Sequence, residues 1–319
     1  MTNLQSDLTA EKAAEARQKV TLAPSRADYR ERWYYKEASP FKRIAKLQFQ
    51  RDGLLLPFGH PRLGFNKPNP TLFSGQKWPM SDQADPSDGW PISDIIASSF
   101  PASNDWYGKL YTYLHGLLYK FVQRIGTANL HVELFNVDAN ILPQYVQIGK
   151  YSRIEVSNIC DAGYIGIRKT LSLFTPHLVA KKTNPYATII TLFLNAVKEQ
   201  ELTEGRKEMP NMECIFQYIP PTKFSRVPFE MDADFYRIHD AAYLMVDSEA
   251  KFRRYMSRLG FDKCSEDLGI IMKVKNTIVE EWPTRLKLRP GQRGAEDEFR
   301  NNLGSGFTSL ERYVEWKIV

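Results

Sequence analysis

Ala187-Thr-Ile-Ile-Thr-Leu-Phe-Leu194 decides the fold class. It is short, uncharged, and holds four β-branched residues in a row at 188–191. A run of this length with no polar face reads as a strand covered on both sides, as in a parallel sheet. Two segments upstream extend that reading. Arg153-Ile-Glu-Val-Ser-Asn-Ile159 and His131-Val-Glu-Leu-Phe-Asn-Val-Asp138 are both predicted as strands. Leu142–Val146 and Ile165–Leu178 have helical character and separate them. Three strands alternating with helices predict an α/β protein. Its expected architecture is Rossmann-like, with a mostly parallel sheet and helices on both faces. In such sheets ligands sit at the carboxyl ends of the strands. The residues expected there are Asn136 and Asp138, then Ser157, Asn158 and Asp161, then Asn195.

Working outward, Trp106, Leu110, Tyr113, Leu114, Leu117, Leu118, Phe121 and Ile125 recur at helical spacing. They predict a helix over 105–125, capped by Asn104 or Asp105. Prolines 79, 86, 91 and 101 with Asp82, Asp85, Asp88 and Gly89 predict a long loop at 76–103, with one short helix at 92–98. In 29–75, Tyr29, Trp33, Tyr34, Tyr35 and Phe41 interleave with Arg30, Arg32, Lys36, Lys42 and Arg43. That is either an amphipathic segment or a surface for flat, anionic ligands. Residues 1–28 read as a flexible, solvated helical appendage, and 29–319 as one α/β domain. Past residue 200, strands are predicted at 213–219 and 269–274, and an edge strand at 311–317. Helices are predicted at 234–245 and 249–259, and from 276 to 281.

Composition bounds the function. The 319 residues are 43% hydrophobic and 25% charged, which excludes disorder along the whole chain. No apolar run approaches the ~18–20 residues of a membrane helix, so no membrane partner is expected. We read no secretory signal in the first thirty residues. Cys160, Cys214 and Cys264 lie far apart, which argues against a zinc site or disulfide framework and fits a cytoplasmic location. No metal and no cofactor are expected. Lys and Arg number 43 against 37 Asp and Glu, a formal charge of +6 that permits an anionic partner such as RNA.

Neither G-x-G-x-x-G nor the nucleotide-binding G-x-x-x-x-G-K-[ST] occurs. Asp161-Ala-Gly163-Tyr-Ile-Gly166 carries two glycines at a strand-to-helix turn, serving a ligand or simple packing. Asp138 is either a ligand acceptor or a helix cap. Ser157 is a candidate nucleophile if a base is near; His239, Glu155 and Asp161 are the choices. The other reading is a structural hydroxyl. Lys251, Arg254 and Arg258 share one predicted helix face, and Arg285, Lys287 and Arg289 cluster around Pro290-Gly291. Each cluster is a solvated face or a tRNA contact.

Several segments carry a resemblance: Trp33-Tyr-Tyr-Lys36, Gly53-Leu-Leu-Leu-Pro-Phe-Gly59, Asp85-Pro-Ser-Asp-Gly-Trp90, Arg153-Ile-Glu-Val-Ser-Asn-Ile-Cys-Asp161 and Arg312-Tyr-Val-Glu-Trp316 among them. They resemble a group of uncharacterised fungal proteins whose domain is shared with dynein axonemal assembly factors and described as methyltransferase-like. Larger relatives in that group add an N-terminal half with a glycine-containing Rossmann start, which is not in this sequence. The chain also resembles the fungal arginine-containing cyclodipeptide synthases. That likeness implies a Rossmann-like enzyme joining two aminoacyl groups from charged tRNAs, arginyl-tRNA among them, into a diketopiperazine. None of that family's catalytic residues is carried onto positions here. The leading expectation is this transfer, with Ser157 as nucleophile, His239 or Glu155 handling protons, and Asp138 and Asp161 receiving a cationic group. The alternatives are an S-adenosylmethionine-dependent methyltransferase and a non-catalytic assembly or adaptor protein.

Overall fold

The computed structural model describes residues 9–21, 40–67, 85–205, 212–218, 238–239, 241–242, 244–303 and 309–319. The chain divides into two compact units. One comprises Met1–Leu130, Pro221–Asp240 and Leu303–Gly306; the other comprises His131–Pro220, Ala241–Asn302 and Phe307–Val319.

The first unit is helical where it is described. Helix α1 (Ala10–Thr21) starts at Thr9, whose Oγ1 accepts the Lys12 amide. It packs against α2 (Pro40–Asp52), and each helix buries an alanine there-about, Ala13 and Ala45. Residues 1–8 and 22–28 of the expected appendage and the aromatic run 29–35 lie outside the described residues. The short α3 (Ile92–Ala97) matches its expectation. So does α4 (Trp106–Thr127), whose cap is Asp105. That carboxylate accepts the Gly108 amide at 2.8 Å and the Phe58 amide at 2.7 Å, so one side chain starts the helix and fixes a distant turn. Ile95, Trp106, Tyr107 and Leu110 form the core, with Ala45.

The second unit holds a four-stranded sheet: β1 (Arg153–Glu155), β2 (Thr188–Phe193), β3 (Ile270–Met272) and β4 (Arg312–Ile318), in the order β1-β2-β4-β3. The protein is therefore α/β. The sheet is small and mixed rather than mostly parallel. Only β1 and β2 run parallel, and β4 is antiparallel to both β2 and β3. Helix α5 (Ile167–Phe174) links β1 to β2 as a single β-α-β unit. Helices α6 (Ala196–Glu204), α7 (Met212–Tyr218), α8 (Ser248–Leu259), α9 (Phe261–Leu268) and α10 (Ala295–Leu303) complete the unit. Phe193, Phe252, Tyr255, Phe261, Trp282 and Trp316 meet in the core at ring separations of 5–6 Å, mostly edge to face.

Four expectations are corrected. Residues 131–138 form no strand, and Leu134 is 91% exposed. An alternating pattern says which side of a strand would be buried, but it supplies no partner for the backbone. Residues 213–218 of the expected strand are part of helix α7, with Ile215 and Tyr218 buried one turn apart. Residues 276–281 are loop, not helix. The 311–317 strand is not at an edge but lies between β2 and β3, with Glu315 and Trp316 fully buried.

Glu315 explains the loop. Its Oε1 accepts the Ile278 and Val279 amides at 2.6 and 2.9 Å. Its Oε2 accepts the Lys273 ammonium at 2.8 Å and the Thr277 amide and hydroxyl at 2.9 and 3.0 Å. A buried carboxylate is tolerated only when so fully satisfied. Burial alone would raise its pKa; the Lys273 charge and the three amides outweigh burial and hold it down at about 2.

Glu315→Gln keeps one acceptor but loses the charge, and it should cost about 2–4 kcal/mol of stability in denaturant titration. Because the folded pKa is depressed, this stability is present above the ordinary carboxyl range. It should be lost as pH falls from about 4.5 toward 2, and the loss should be missing in the Gln variant.

Candidate functional site

Strand β1 ends at Glu155, and the chain turns at Ser157 with φ at +48°. A non-glycine residue in this region carries strain on the order of 1–3 kcal/mol and persists only where its surroundings enforce it. A 3-10 turn, Ser157–Cys160, follows and delivers Asp161 into the interior. Asp161 is fully buried. Its Oδ2 accepts the Leu194 amide at 3.2 Å, and the Asn195 amide and side-chain amide both at 3.0 Å. Its other oxygen has no partner among the described residues. Burial, aided by the Glu199 charge, pushes its pKa up to about 6 against those amides. Burial, then the Asp161 charge, pushes the Cys160 thiol far up, which keeps it protonated.

Glu199 on α6 clasps the next residues. It accepts the Gly163 amide at 2.8 Å, the Ala162 amide at 3.2 Å and the Tyr255 hydroxyl at 3.0 Å. Tyr255 accepts the Ala162 amide in turn at 3.0 Å. The two glycines of the turn follow from this geometry. A Cβ at position 163 would sit 3.0 Å from the Glu199 carboxylate, and Gly166 opens α5 at φ +81°.

The outer side of this clasped turn carries two adjoining clefts that share Ile165 and Lys169. The first, about 380 Å³, is lined by Asp138, Ala139, Asn140, Ile159 and Tyr164 as well. The second, about 550 Å³, adds Ala162, Gly166, Arg168, Ser172, Leu259 and Leu268. Asp138 accepts the Asn140 backbone amide at 2.7 Å and its side-chain amide at 2.8 Å. These bonds, and then the Lys169 charge, hold its carboxyl below the ordinary range, so it is ionised at neutral pH. The Asn140 amide oxygen is buried and has no partner among the described residues. Arg168 is engaged by Asp267 at 2.7 Å. The arrangement offers a ligand one carboxylate, one ammonium and one tyrosine ring along a single cleft.

The structure brings some of the expected residues together and disperses others. Asp138 lines the first cleft; Ser157, Asn158 and Asp161 lie on the 157–161 turn and line neither cleft, and Asn195 is tied to Asp161. Asn136 is exposed on irregular chain and lines neither cleft. Glu155 is exposed on β1. His239 belongs to the first unit. Lys251, Arg254 and Arg258 share a face of α8, as expected, and that face meets α6. Lys251 is fully buried in an ion pair with Glu201. Arg254 pairs with Glu204 at 2.8 Å; Arg258 donates to Gln200 at 3.0 Å and covers the Tyr255 ring. Arg285, Lys287 and Arg289 are exposed, with Lys287 paired to Glu280 at 3.0 Å. Among the described residues, no cluster of three His, Cys, Asp or Glu side chains is placed to hold a metal.

Sequence reading missed Asn140, Lys169, Glu199 and Tyr255. The spacing Asp138-x-Asn140 is an Asx-turn signal that could have flagged the first. Nothing local marks Glu199 or Tyr255, since their role exists only once α6 and α8 meet the turn. No family model matches the chain, and neither a curated protein nor a solved structure matches it significantly.

The Asp161 pKa is raised, so the proton is held more tightly in the folded state. Its contribution is full below the ordinary Asp range and is lost as pH rises through about 6. Unfolding midpoints should therefore fall between pH 4 and 6.5, and Asp161→Asn should flatten that part of the profile.

Proposed function

We propose that the protein is an aminoacyl transferase that takes aminoacyl groups from charged tRNA, arginyl-tRNA included, and joins two into a diketopiperazine. The observation carrying this reading is the first cleft. Its ionised Asp138 is exposed on the cleft wall, and a planar, multidentate cation such as guanidinium suits a carboxylate so placed. Lys169, on the same wall, suits a carboxylate or phosphate. Ser157, strained at the end of β1, is the proposed acyl carrier. Its hydroxyl attacks the ester carbonyl and releases the tRNA 3′-hydroxyl. The amine of a second aminoacyl-tRNA then displaces the serine, and the first residue's amine attacks the remaining ester, closing the ring and releasing the second tRNA 3′-hydroxyl. Glu155, on the same strand, is the proposed proton acceptor. The β1-α5-β2 unit is read as the Rossmann-like element of the fold, and the cytosol as the place of action.

For tRNA, the loop carrying Arg285, Lys287 and Arg289 is the favoured contact, because it is exposed while Lys251 and its neighbours on α8 are engaged. A second reading, a non-catalytic adaptor, is favoured by a separate fact: the Asp161 and Glu199 carboxylates are largely committed to backbone amides, as structural staples are.

The test combines the purified chain with tRNA, amino acids, charging enzymes and ATP, with products read by mass spectrometry. An arginine-containing diketopiperazine is expected. Ser157→Ala should lower its formation by about 100-fold or more, and Asp138→Ala should lower the preference for arginine about tenfold. Arg285→Glu with Arg289→Glu should weaken tRNA retention and flatten its salt dependence. No product and no tRNA retention at low salt would reject the enzyme and favour the adaptor.

A further inference from the structure

We propose that helix α4 of the first unit docks on an anionic lipid surface. The 22 residues from Trp106 to Thr127 include no Asp or Glu. At 100° per residue, Leu117, Leu118, Phe121, Val122 and Ile125 fall within an arc of roughly 140°. The same arc holds Tyr107, Leu110 and Leu114. Over the first two turns this stripe is core, since Tyr107 and Leu110 are buried. From Leu117 onward the same stripe is uncovered: Leu118 is 63% exposed, Phe121 57% and Val122 64%. Lys120 and Arg124 lie together on one shoulder, and the exposed Tyr119 lies beyond the other.

Charge decides between occupants. An apolar stripe edged by cations, with no acid to oppose them, matches a surface that is apolar beneath and negative above. A second copy fits poorly. In an antiparallel two-fold pair the same shoulder of each helix meets its counterpart, which would set Lys120 and Arg124 against Lys120 and Arg124. The contact is peripheral, because no described helix is long and apolar enough to cross a membrane. It is independent of the aminoacyl-transfer reading, which concerns the other unit.

The experiment is sedimentation of the full chain with phosphatidylcholine vesicles, with and without about 30 mol% phosphatidylserine, at low and high salt. Binding is expected only with the anionic lipid, weakening as salt rises. Lys120→Glu with Arg124→Glu should reduce affinity about tenfold or more, as should Leu118→Ser with Phe121→Ser. All four positions are exposed, so circular dichroism and melting should be unchanged in both variants. Three results would overturn the proposal: no binding to either vesicle, equal binding by wild type and both variants, or a lipid-free dimer that Leu118→Asp dissolves. The last would assign the stripe to a second copy.

Discussion

The second unit depends on how β4 lies in the sheet. The strand is hydrogen-bonded on both edges, to β2 and to β3, so its own polar backbone is satisfied. Its side chains then alternate between two unlike demands. Trp316 packs into the aromatic core and donates its indole N–H to Thr191, while Glu315 on the other face is a charge with no exposure. The charge is tolerable only because Lys273 and the amides of 277–279 surround it. One carboxylate thus converts a stretch with helical composition into a fixed loop, and fastens that loop to the centre of the sheet.

A similar device builds the candidate site. After β1 the chain must leave the sheet, turn sharply and begin α5. Asp161 and Glu199 hold that turn by accepting backbone amides that neither strand nor helix can satisfy. The cost is visible in Asp161, whose carboxyl is pushed toward neutrality by its burial. The staples hold the turn beside which Tyr164, Ile165 and Lys169 line one cleft with Asp138 and Asn140. Rigid elements behind a polar rim hold ligand groups in register better than free loops do.

The basic residues illustrate why spacing does not settle role. Lys251, Arg254 and Arg258 share a helix face, and an exposed face of that kind would suit a polyanion. Here the face is met by α6, whose Glu201, Glu204 and Gln200 answer it residue for residue. The partners are fifty or more positions away in sequence, so no local window contains the pairing.

Local chemistry in the sequence determined a good deal by itself. Asp105 before an amphipathic run specifies α4. The β-branched run at 188–191 specifies a buried strand. Glycines 163 and 166 mark a turn, and 166 takes the positive φ that glycine favours. Each of these is decided by contacts within a few residues, or by burial common to any core. Tertiary structure alone decided strand direction, the central place of β4, the unpaired fate of 131–138 and the helix at 212–218. It also decided which charges are answered inside and which face water. A strand's neighbours, and a buried carboxylate's donors, come from distant parts of the chain, and their free energy depends on what packs there rather than on the segment's own pattern.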